Sequence, residues 1–219
     1  MRFAVAVAIP ALALAAPAGA DPAVPLGGGS GIVVDGSHCT QTTIGHDKTG
    51  ELVGFTAAHC GGPGAEVVAE GAEDHGALGA VVAANGDLDY AVIRFDPAKV
   101  TPVANVAGFA IRGLGPDPDQ GQPTCTLGAA TGNYCSHTVS VPGPGSAIAT
   151  LGPFQPGDDG GPVTADGLLV GLVFRGFVIP GDLLGNLPIP ETDMVKFSKI
   201  LDDVNANGGP GAGFRPIPG

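Results

Sequence analysis

Short apolar segments rich in β-branched residues recur along most of the chain. Glycine, proline, asparagine and aspartate fill the stretches between them, and each of these residues favours turns. Short strands spaced by roughly ten residues are typical of β-sandwiches and β-barrels, so the pattern predicts an all-β protein. The predicted strands are residues 31–35, 39–44, 51–56, 65–70, 77–84, 89–95, 124–127, 137–141, 147–151, 162–165 and 168–174.

The segment 113–122 interrupts this series of strands. It contains prolines, glycines and acidic residues, has no basic residue, and shows no alternation of apolar and polar positions. Such a composition favours a linker. We therefore predict two six-stranded antiparallel β-barrels, one formed by residues 31–112 and the other by residues 123–190.

A helical pattern is found in one segment near the C-terminus. Thr192 or Asp193 can cap its first turn, and Asn207-Gly208 can end it. We therefore predict a C-terminal helix over residues 191–207. Its apolar residues recur at spacings of three, four and three, namely Met194, Phe197, Leu201 and Val204.

Both ends of the chain lie outside the predicted core. Residues 1–20 combine a basic Arg2, an apolar run and a small-residue cleavage site, which together are typical of a secretory signal peptide. The run is short for a membrane span and contains prolines, so we predict its cleavage, a secreted product and no membrane span in the mature chain. Residues 21–30 are predicted to be a flexible leader, and the glycine- and proline-rich residues 208–219 a disordered tail.

The charge of the chain narrows the classes of partner. It has 21 acidic and 9 basic residues, with a net charge of −12 at pH 7. Nucleic acids and anionic membranes are bound through clustered Lys and Arg, so neither is an expected partner. No cofactor fingerprint or aromatic platform is visible, and we predict no cofactor. We expect a monomer whose ligand is an unidentified protein or peptide.

The four cysteines predict two disulfides, because an even number in an exported chain normally forms a disulfide framework. Three pairings are possible, and the one between sequence neighbours joins Cys39 to Cys60 and Cys125 to Cys135. A metal site is the alternative, since a histidine precedes both Cys39 and Cys60. The sequence contains no Cys-x-x-Cys spacing, and we predict no metal ligands.

A loop of unusual composition runs from Gly157 to Val163, with the sequence Gly-Asp-Asp-Gly-Gly-Pro-Val. Its glycines and proline force a tight, non-repeating backbone. Successive amides in such a backbone can point into one concavity and bind a developing negative charge. An ordinary turn between two strands is the alternative interpretation.

Two further motifs precede this glycine loop. The first is Phe-Thr-Ala-Ala-His-Cys at 55–60, and the second is Asp-Leu-Asp-Tyr-Ala-Val-Ile-Arg-Phe at 87–95. A histidine, then an aspartate, then a nucleophile loop is the chain order of chymotrypsin-like serine proteases. Over residues 27–207 the chain resembles the secreted bacterial branch of this family, the streptogrisin and α-lytic type. The cysteine hairpin at 125–135 and the C-terminal helix are also similar to that branch.

The resemblance implies a double β-barrel with its site in the cleft between the barrels. It assigns the role of general base to His59. It assigns to Asp89 the role of orienting the imidazole. Asp87, two residues earlier, is the rival acid for this role.

Within the glycine loop, the resemblance assigns the oxyanion hole to the backbone amides of Gly157 and Asp159, and a buried, loop-shaping acid to Asp158. The loop also departs from the family, because Asp159 stands where the family has its nucleophilic serine. Residues 147–197 contain no serine or cysteine that could replace it. A carboxylate is a poor nucleophile toward an amide, and it places negative charge where an oxyanion forms.

A second departure concerns the predicted specificity pocket. Phe174, Arg175 and Gly176 stand where the family usually has a small, polar, Ser-Gly-Gly-like run. Bulky side chains there are expected to narrow the cleft and to disfavour the extended docking of a peptide.

These departures predict a secreted, catalytically inactive protease homologue with a binding or structural role. One alternative is an active hydrolase of the same fold that uses His59 and Asp89 with an unusual nucleophile or an activated substrate. Another is a metal site built from His59, Asp89 and Asp159.

Overall fold

The computed structural model describes residues 22–139, 147–179 and 189–219. The predicted signal peptide, residues 1–20, lies outside these ranges. The described chain is mostly β with one C-terminal helix, which confirms the predicted fold class. No helix in these ranges is both long and apolar enough to cross a bilayer.

Short strands make up the first half of the chain. Residues 39–44, predicted as one strand, form two, because the chain between them turns to bond other segments. The amide of Gln41 donates to the Ser30 carbonyl oxygen at 2.8 Å, and Thr42 Oγ1 donates to the Gly160 carbonyl oxygen at 2.6 Å. The strands are β1 (Val24–Leu26), β2 (Gly31–Val34), β3 (Ser37–Thr40), β4 (Thr43–His46), β5 (Leu52–Thr56), β6 (Glu66–Ala69), β7 (Gly79–Asn85), β8 (Tyr90–Phe95), β9 (Val100–Pro102), β10 (Asn105–Val106) and β11 (Phe109–Ala110).

The second half forms a closed six-stranded barrel, as predicted. Its strands are β12 (Pro123–Gly128), β13 (Gly132–Val139), β14 (Ala147–Leu151), β15 (Pro162–Ala165), β16 (Leu168–Ile179) and β17 (Ile189–Lys196). Strand β15 pairs with both β16 and β12, which closes the ring in the order β12-β13-β14-β17-β16-β15. The buried apolar side chains that we call the second-barrel cluster are Val163, Ala165, Val170, Val173 and Met194.

The first half curves as a half-barrel and does not form the predicted closed barrel of six strands. It is a sheet of eight strands that includes β18 (Arg215–Pro216) from the C-terminus. The order is β18-β4-β5-β8-β7-β6-β2-β3, and neighbouring strands are antiparallel. The splitting of residues 39–44 and the arrival of β18 account for the additional strands.

The C-terminal helix α1 spans Phe197–Asn207 and so begins later than the predicted residue 191. The preceding residues belong to β17, which pairs with β14 on one side and β16 on the other. Thr192 and Asp193 therefore lie inside a strand and do not cap the helix. Gly208 follows the helix with a φ of +69°, a left-handed conformation that glycine adopts without strain.

Both ends of the described chain pack on the fold, which corrects the flexible leader (21–30) and the disordered tail (208–219) expected from composition. Strand β1 pairs in parallel with β9. In the tail, the ring of Phe214 lies 5.0 Å from that of Phe55 and 6.2 Å from that of Phe197. These three rings belong to the larger cluster of buried apolar residues, which we call the main core. Phe214 therefore anchors the tail to the main core despite the tail's glycines and prolines.

Both predicted disulfides are present, Cys39–Cys60 and Cys125–Cys135. The first ties β3 to the turn that follows β5. The second joins directly paired residues of β12 and β13.

Replacing both Cys39 and Cys60 with alanine is expected to lower the free energy of unfolding by roughly 3 kcal/mol, because the unfolded chain loses a closed loop. Urea titration of the purified variant under oxidising conditions measures this loss. The matched control replaces Cys125 and Cys135, which close a shorter loop of sequence separation 10 rather than 21. A larger loss in this control than in the first variant would contradict the loop-closure argument.

Candidate active site

His59 lies on a short 3₁₀ turn, Ala58–Cys60, just after strand β5. Every residue of β5 is buried, so the strand fixes the point at which the chain leaves the core. The disulfide between Cys60 and Cys39 holds the far side of the turn. The imidazole is thereby presented at the surface, with 46% of the side chain exposed.

Asp89 immediately precedes strand β8 and has a φ of +46°, a left-handed conformation that aspartate tolerates better than most residues. Its carboxylate Oδ2 lies 2.7 Å from His59 Nδ1, and its Oδ1 accepts the His59 backbone amide at 2.9 Å. The amide of Ala58 also donates to the Asp89 carbonyl oxygen at 3.2 Å. Asp87 is exposed, and its own amide donates to Asn85. The geometry thus selects Asp89, not Asp87, as the partner of the imidazole.

A second carboxylate faces the opposite ring nitrogen of His59. Asp159 Oδ1 lies 3.1 Å from His59 Nε2, and the Asp159 side chain is only 16% exposed. Hydrogen bonds to Asp159 and to Asp89 raise the pKa of His59 from 6.5 to about 10, although burial opposes the shift. Both bonds stabilise the protonated ring. At neutral pH the three side chains therefore form what we call the ion triad, with a positive imidazole between two acids.

Asp158 is buried, and the glycine loop folds around its carboxylate. Oδ1 accepts the amides of Ala130 at 3.1 Å and Thr131 at 2.9 Å, and Oδ2 accepts the amide of Gln155 at 2.8 Å. Gly128 makes room for this acid, since a Cβ there would lie 2.0 Å from Asp158 Oδ1. The Asp158 carboxylate thus ties the glycine loop to the backbone of residues 130 and 131.

Two threonines of the first half hold the glycine loop against the sheet, a contact that no sequence motif indicates. Thr40 Oγ1 donates to the Gly157 carbonyl oxygen, and Thr42 Oγ1 to that of Gly160, each at 2.6 Å. The Thr40 amide donates to the Asp159 carbonyl oxygen at 2.8 Å. These bonds link the two halves and fix Asp159 beside His59. The cluster of threonines at 40–43 is the available signal, but it also suits an ordinary strand.

Two amides of the glycine loop are free to bind an anion. Within the described ranges, the backbone amides of Gly157 and Asp159 donate no hydrogen bond. Gly157 has a φ of +106°, a conformation that strongly favours glycine. Two unpaired amides this close in sequence can approach one anionic oxygen.

The three residues of the predicted specificity pocket follow the point where β16 meets the glycine loop. Phe174 packs its half-buried ring against the main core. Arg175 Nε lies 2.7 Å from Oδ2 of the buried Asp193, and its guanidinium lies 5.1 Å from the centre of the Phe174 ring. Gly176 faces Phe154: a Cβ at Gly176 would lie 2.2 Å from Cβ and Cγ of Phe154.

Phe154 is therefore a residue of this region that is not predicted from the sequence. It lies in the loop between β14 and β15, and its half-buried ring packs on the second-barrel cluster. Its apolar character in a Gly-Pro-Phe-Gln-Pro segment was the only available signal.

The alternative of a metal site does not fit the arrangement of the ion triad. Asp89 and Asp159 bind opposite nitrogens of the His59 ring, so the three side chains do not converge on one point. In the part of the chain that the structure describes, no group of three or more His, Cys, Asp or Glu residues is placed to hold a metal ion.

Comparison with known proteins identifies the fold. No protein-family model and no curated protein matches the sequence. Among solved structures, Thermobifida fusca protease A is 19% identical and superposes with a TM-score of 0.67 over 90% of this chain and 100% of its own. A Nocardiopsis protease is 22% identical, with a TM-score of 0.64 over 83% of this chain and 97% of its own. A Cellulomonas bogoriensis chymotrypsin is 23% identical, with a TM-score of 0.62 over 89% of this chain and 100% of its own. The chain thus has the double-barrel fold of the bacterial chymotrypsin-like serine proteases.

Proposed function

We propose that the protein is a secreted, catalytically inactive homologue of chymotrypsin-like serine proteases that binds a protein or peptide ligand. The observation that carries this proposal is the distance of 3.1 Å between Asp159 Oδ1 and His59 Nε2. In the proteases, the serine hydroxyl faces this nitrogen, gives it a proton and attacks the substrate. Here a carboxylate takes that place and has no proton for His59 to remove.

The surrounding chemistry supports the same conclusion. His59, whose pKa is raised to about 10, is already protonated at neutral pH and cannot act as a base. A carboxylate that attacks an amide must expel an amine through an anhydride-like intermediate, which is unfavourable. We assign the oxyanion hole to the amides of Gly157 and Asp159, and an oxyanion there would be repelled by the Asp159 carboxylate.

Strand β16 offers an edge to which a peptide can bind. At Val173 both sides of the strand are bonded, because Val173 also exchanges hydrogen bonds with Gly160 and Gly161 of the glycine loop. Beyond this point the strand continues to Ile179, paired with β17. In β-strand addition, an extended peptide binds to a strand edge through backbone hydrogen bonds. The net charge of −12 disfavours an acidic peptide as the ligand.

Two observations support export. The segment 1–20 has the composition of a signal peptide. Two disulfides are present, and such bonds persist mainly in oxidising compartments outside the cytosol.

The proposal is tested on the purified wild-type protein. We expect it to leave casein intact and to show no mass increase after incubation with a fluorophosphonate probe. The control is His59→Ala, because a contaminating protease is unaffected by this change. Casein cleavage or a covalent adduct that disappears in His59→Ala would contradict the proposal. Hydrolysis of an activated ester that requires both His59 and Asp159 would instead support the active-hydrolase alternative.

A further inference from the structure

Asp203 of helix α1 accepts hydrogen bonds from three side chains on one carboxylate oxygen, Oδ2. The Tyr90 hydroxyl donates to this oxygen, Asn85 Nδ2 donates to it at 3.0 Å, and Asn207 Nδ2 donates to it at 3.1 Å. Tyr90 and Asn85 lie outside the helix, 113 and 118 residues earlier in the chain. The carboxylate therefore joins the C-terminal helix to the first half of the fold.

The protonation states of the acid and the phenol suit this contact. Hydrogen bonds from Tyr90 and then from Asn85 lower the pKa of Asp203, so the acid is negative at neutral pH. Burial, and then the hydrogen bond to Asp203, raises the pKa of Tyr90, so the hydroxyl keeps its proton. Hydrogen bonds to a charged acceptor are among the stronger ones. Since Tyr90 is also only 3% exposed, its side chain is firmly held.

The two donors from outside the helix close the hairpin that carries Asp89. Asn85 is the last residue of β7 and Tyr90 the first of β8, and the two are paired in register. Between them, residues 86–89 form a turn, which we call the Asp89 turn. Asn85 Oδ1 accepts two backbone amides of this turn, at 2.9 and 3.1 Å. Asp203 thus binds both residues from which the Asp89 turn is suspended.

The contacts of Asp89 with the imidazole segment depend on the conformation of this turn. Its carbonyl oxygen accepts the Ala58 amide at 3.2 Å, and its Oδ1 accepts the His59 amide at 2.9 Å. Its Oδ2 lies 2.7 Å from His59 Nδ1. These bonds use both the backbone and the side chain of a residue whose φ is +46°. A left-handed conformation in a residue other than glycine is costly and persists only where the surrounding structure holds it.

We propose that Asp203 is a positioning residue of the ion triad, which holds Asn85 and Tyr90 together and thereby keeps the Asp89 turn in the conformation that binds His59. Asp203 acts through Asp89, so helix α1 contributes to the site from the far side of the hairpin. The inference goes beyond the proposed function, because the same support is needed whether or not the protein is catalytically active.

The test compares Asp203→Ala with the wild type by amide hydrogen exchange, followed by NMR on ¹⁵N-labelled protein. We expect the amides of Ala58 and His59 to exchange about 10-fold faster in the variant, a factor that corresponds to 1.4 kcal/mol. A loss of this size is typical of one hydrogen bond. The His59 pKa should also fall, because the bond to Asp89 is one of the two that raise it. Amides of β15 report global stability and should keep their rates.

Two further variants separate hydrogen bonding from charge. Asp202→Ala removes a neighbouring acid of the same helix, which is 73% exposed and pairs with Lys199 at 3.4 Å. It should leave the two amides unchanged. Asp203→Asn removes the charge but keeps an oxygen that can accept the same donors, and it should restore most of the slow exchange.

The proposal is overturned if folded Asp203→Ala leaves the two amides unchanged, or if the amides of β15 accelerate as much. It is also overturned if Asp202→Ala or Asp203→Asn matches the effect of Asp203→Ala, because charge would then be the cause. Should Asp203→Ala not fold, Tyr90→Phe is compared with Asp202→Ala and with the β15 amides by the same criteria. Casein cleavage by the wild type would contradict the proposed function and leave this measurement intact.

Discussion

Asp159→Ser is expected to react covalently with a fluorophosphonate probe that leaves the wild-type protein unmodified. The substitution places a hydroxyl beside His59 Nε2, which lies 3.1 Å from Asp159 Oδ1 in the wild type. It also removes one of the two acids that hold His59 protonated, so the imidazole recovers its capacity as a base. Asp89 remains to orient the ring. Removing a triad nucleophile lowers turnover by about 10⁶, so a gain in labelling rate of at least about 100-fold is a modest expectation.

Intact-mass spectrometry measures the adduct, and peptide mapping locates it at residue 159. Asp159→Asn is the control, because it removes the charge without supplying a hydroxyl. Asp159→Ser combined with His59→Ala should lose the reactivity. A folded Asp159→Ser that stays unlabelled would mean that the loop and the imidazole are not arranged for catalysis, and that the inactivity has a deeper cause than the missing hydroxyl.

Peptide cleavage should remain weak in Asp159→Ser even if labelling is fast. A small probe needs only the nucleophile and the free amides of Gly157 and residue 159. A peptide also needs room beside Gly176, where Phe154 lies. The competing explanation for weak peptide cleavage is that the bulky side chains of Phe174 and Arg175 narrow the cleft. Adding Phe154→Ala to Asp159→Ser distinguishes the two, since only the first explanation predicts a gain in turnover from that change.

Much of the fold could be predicted because its information is local. Strand β15 and the start of β16 are short apolar runs separated by the turn Asp166-Gly167, so they fall where the sequence pattern places them. The start of α1 could not be located in the same way. Met194 fits a helical repeat, yet it belongs to β17, where strands on both sides supply its backbone partners.

The candidate site shows the same division between local and long-range information. The order of His59, Asp89 and Asp159 along the chain predicts their meeting, because that order is tied to a known geometry. The bonds from Thr40 and Thr42 to the loop span 117 and 118 residues, and no local pattern encodes them. Phe154 was missed for a related reason: its partner, Gly176, is recognisable only when the two segments are seen together.

The last prediction concerns the charge of His59. NMR titration of the wild-type ring should give a pKa near 10, raised from 6.5 first by the hydrogen bond to Asp159 and then by that to Asp89. Asp159→Asn should lower this pKa by about one unit or more, since it removes one opposite charge from direct contact.

The raised pKa has a defined consequence for stability. Because the folded protein holds the His59 proton more tightly than the unfolded chain, the contribution is fully present below the unfolded pKa of 6.5. It declines as the pH rises and is lost once the pH passes the folded pKa of about 10. Urea unfolding at pH 6, 8 and 10 should therefore show a fall in stability for the wild type that is smaller for Asp159→Asn. Equal slopes in the two proteins, or a His59 ring that titrates at its ordinary pKa, would show that the Asp159 carboxylate and the imidazole do not form the ion triad in solution.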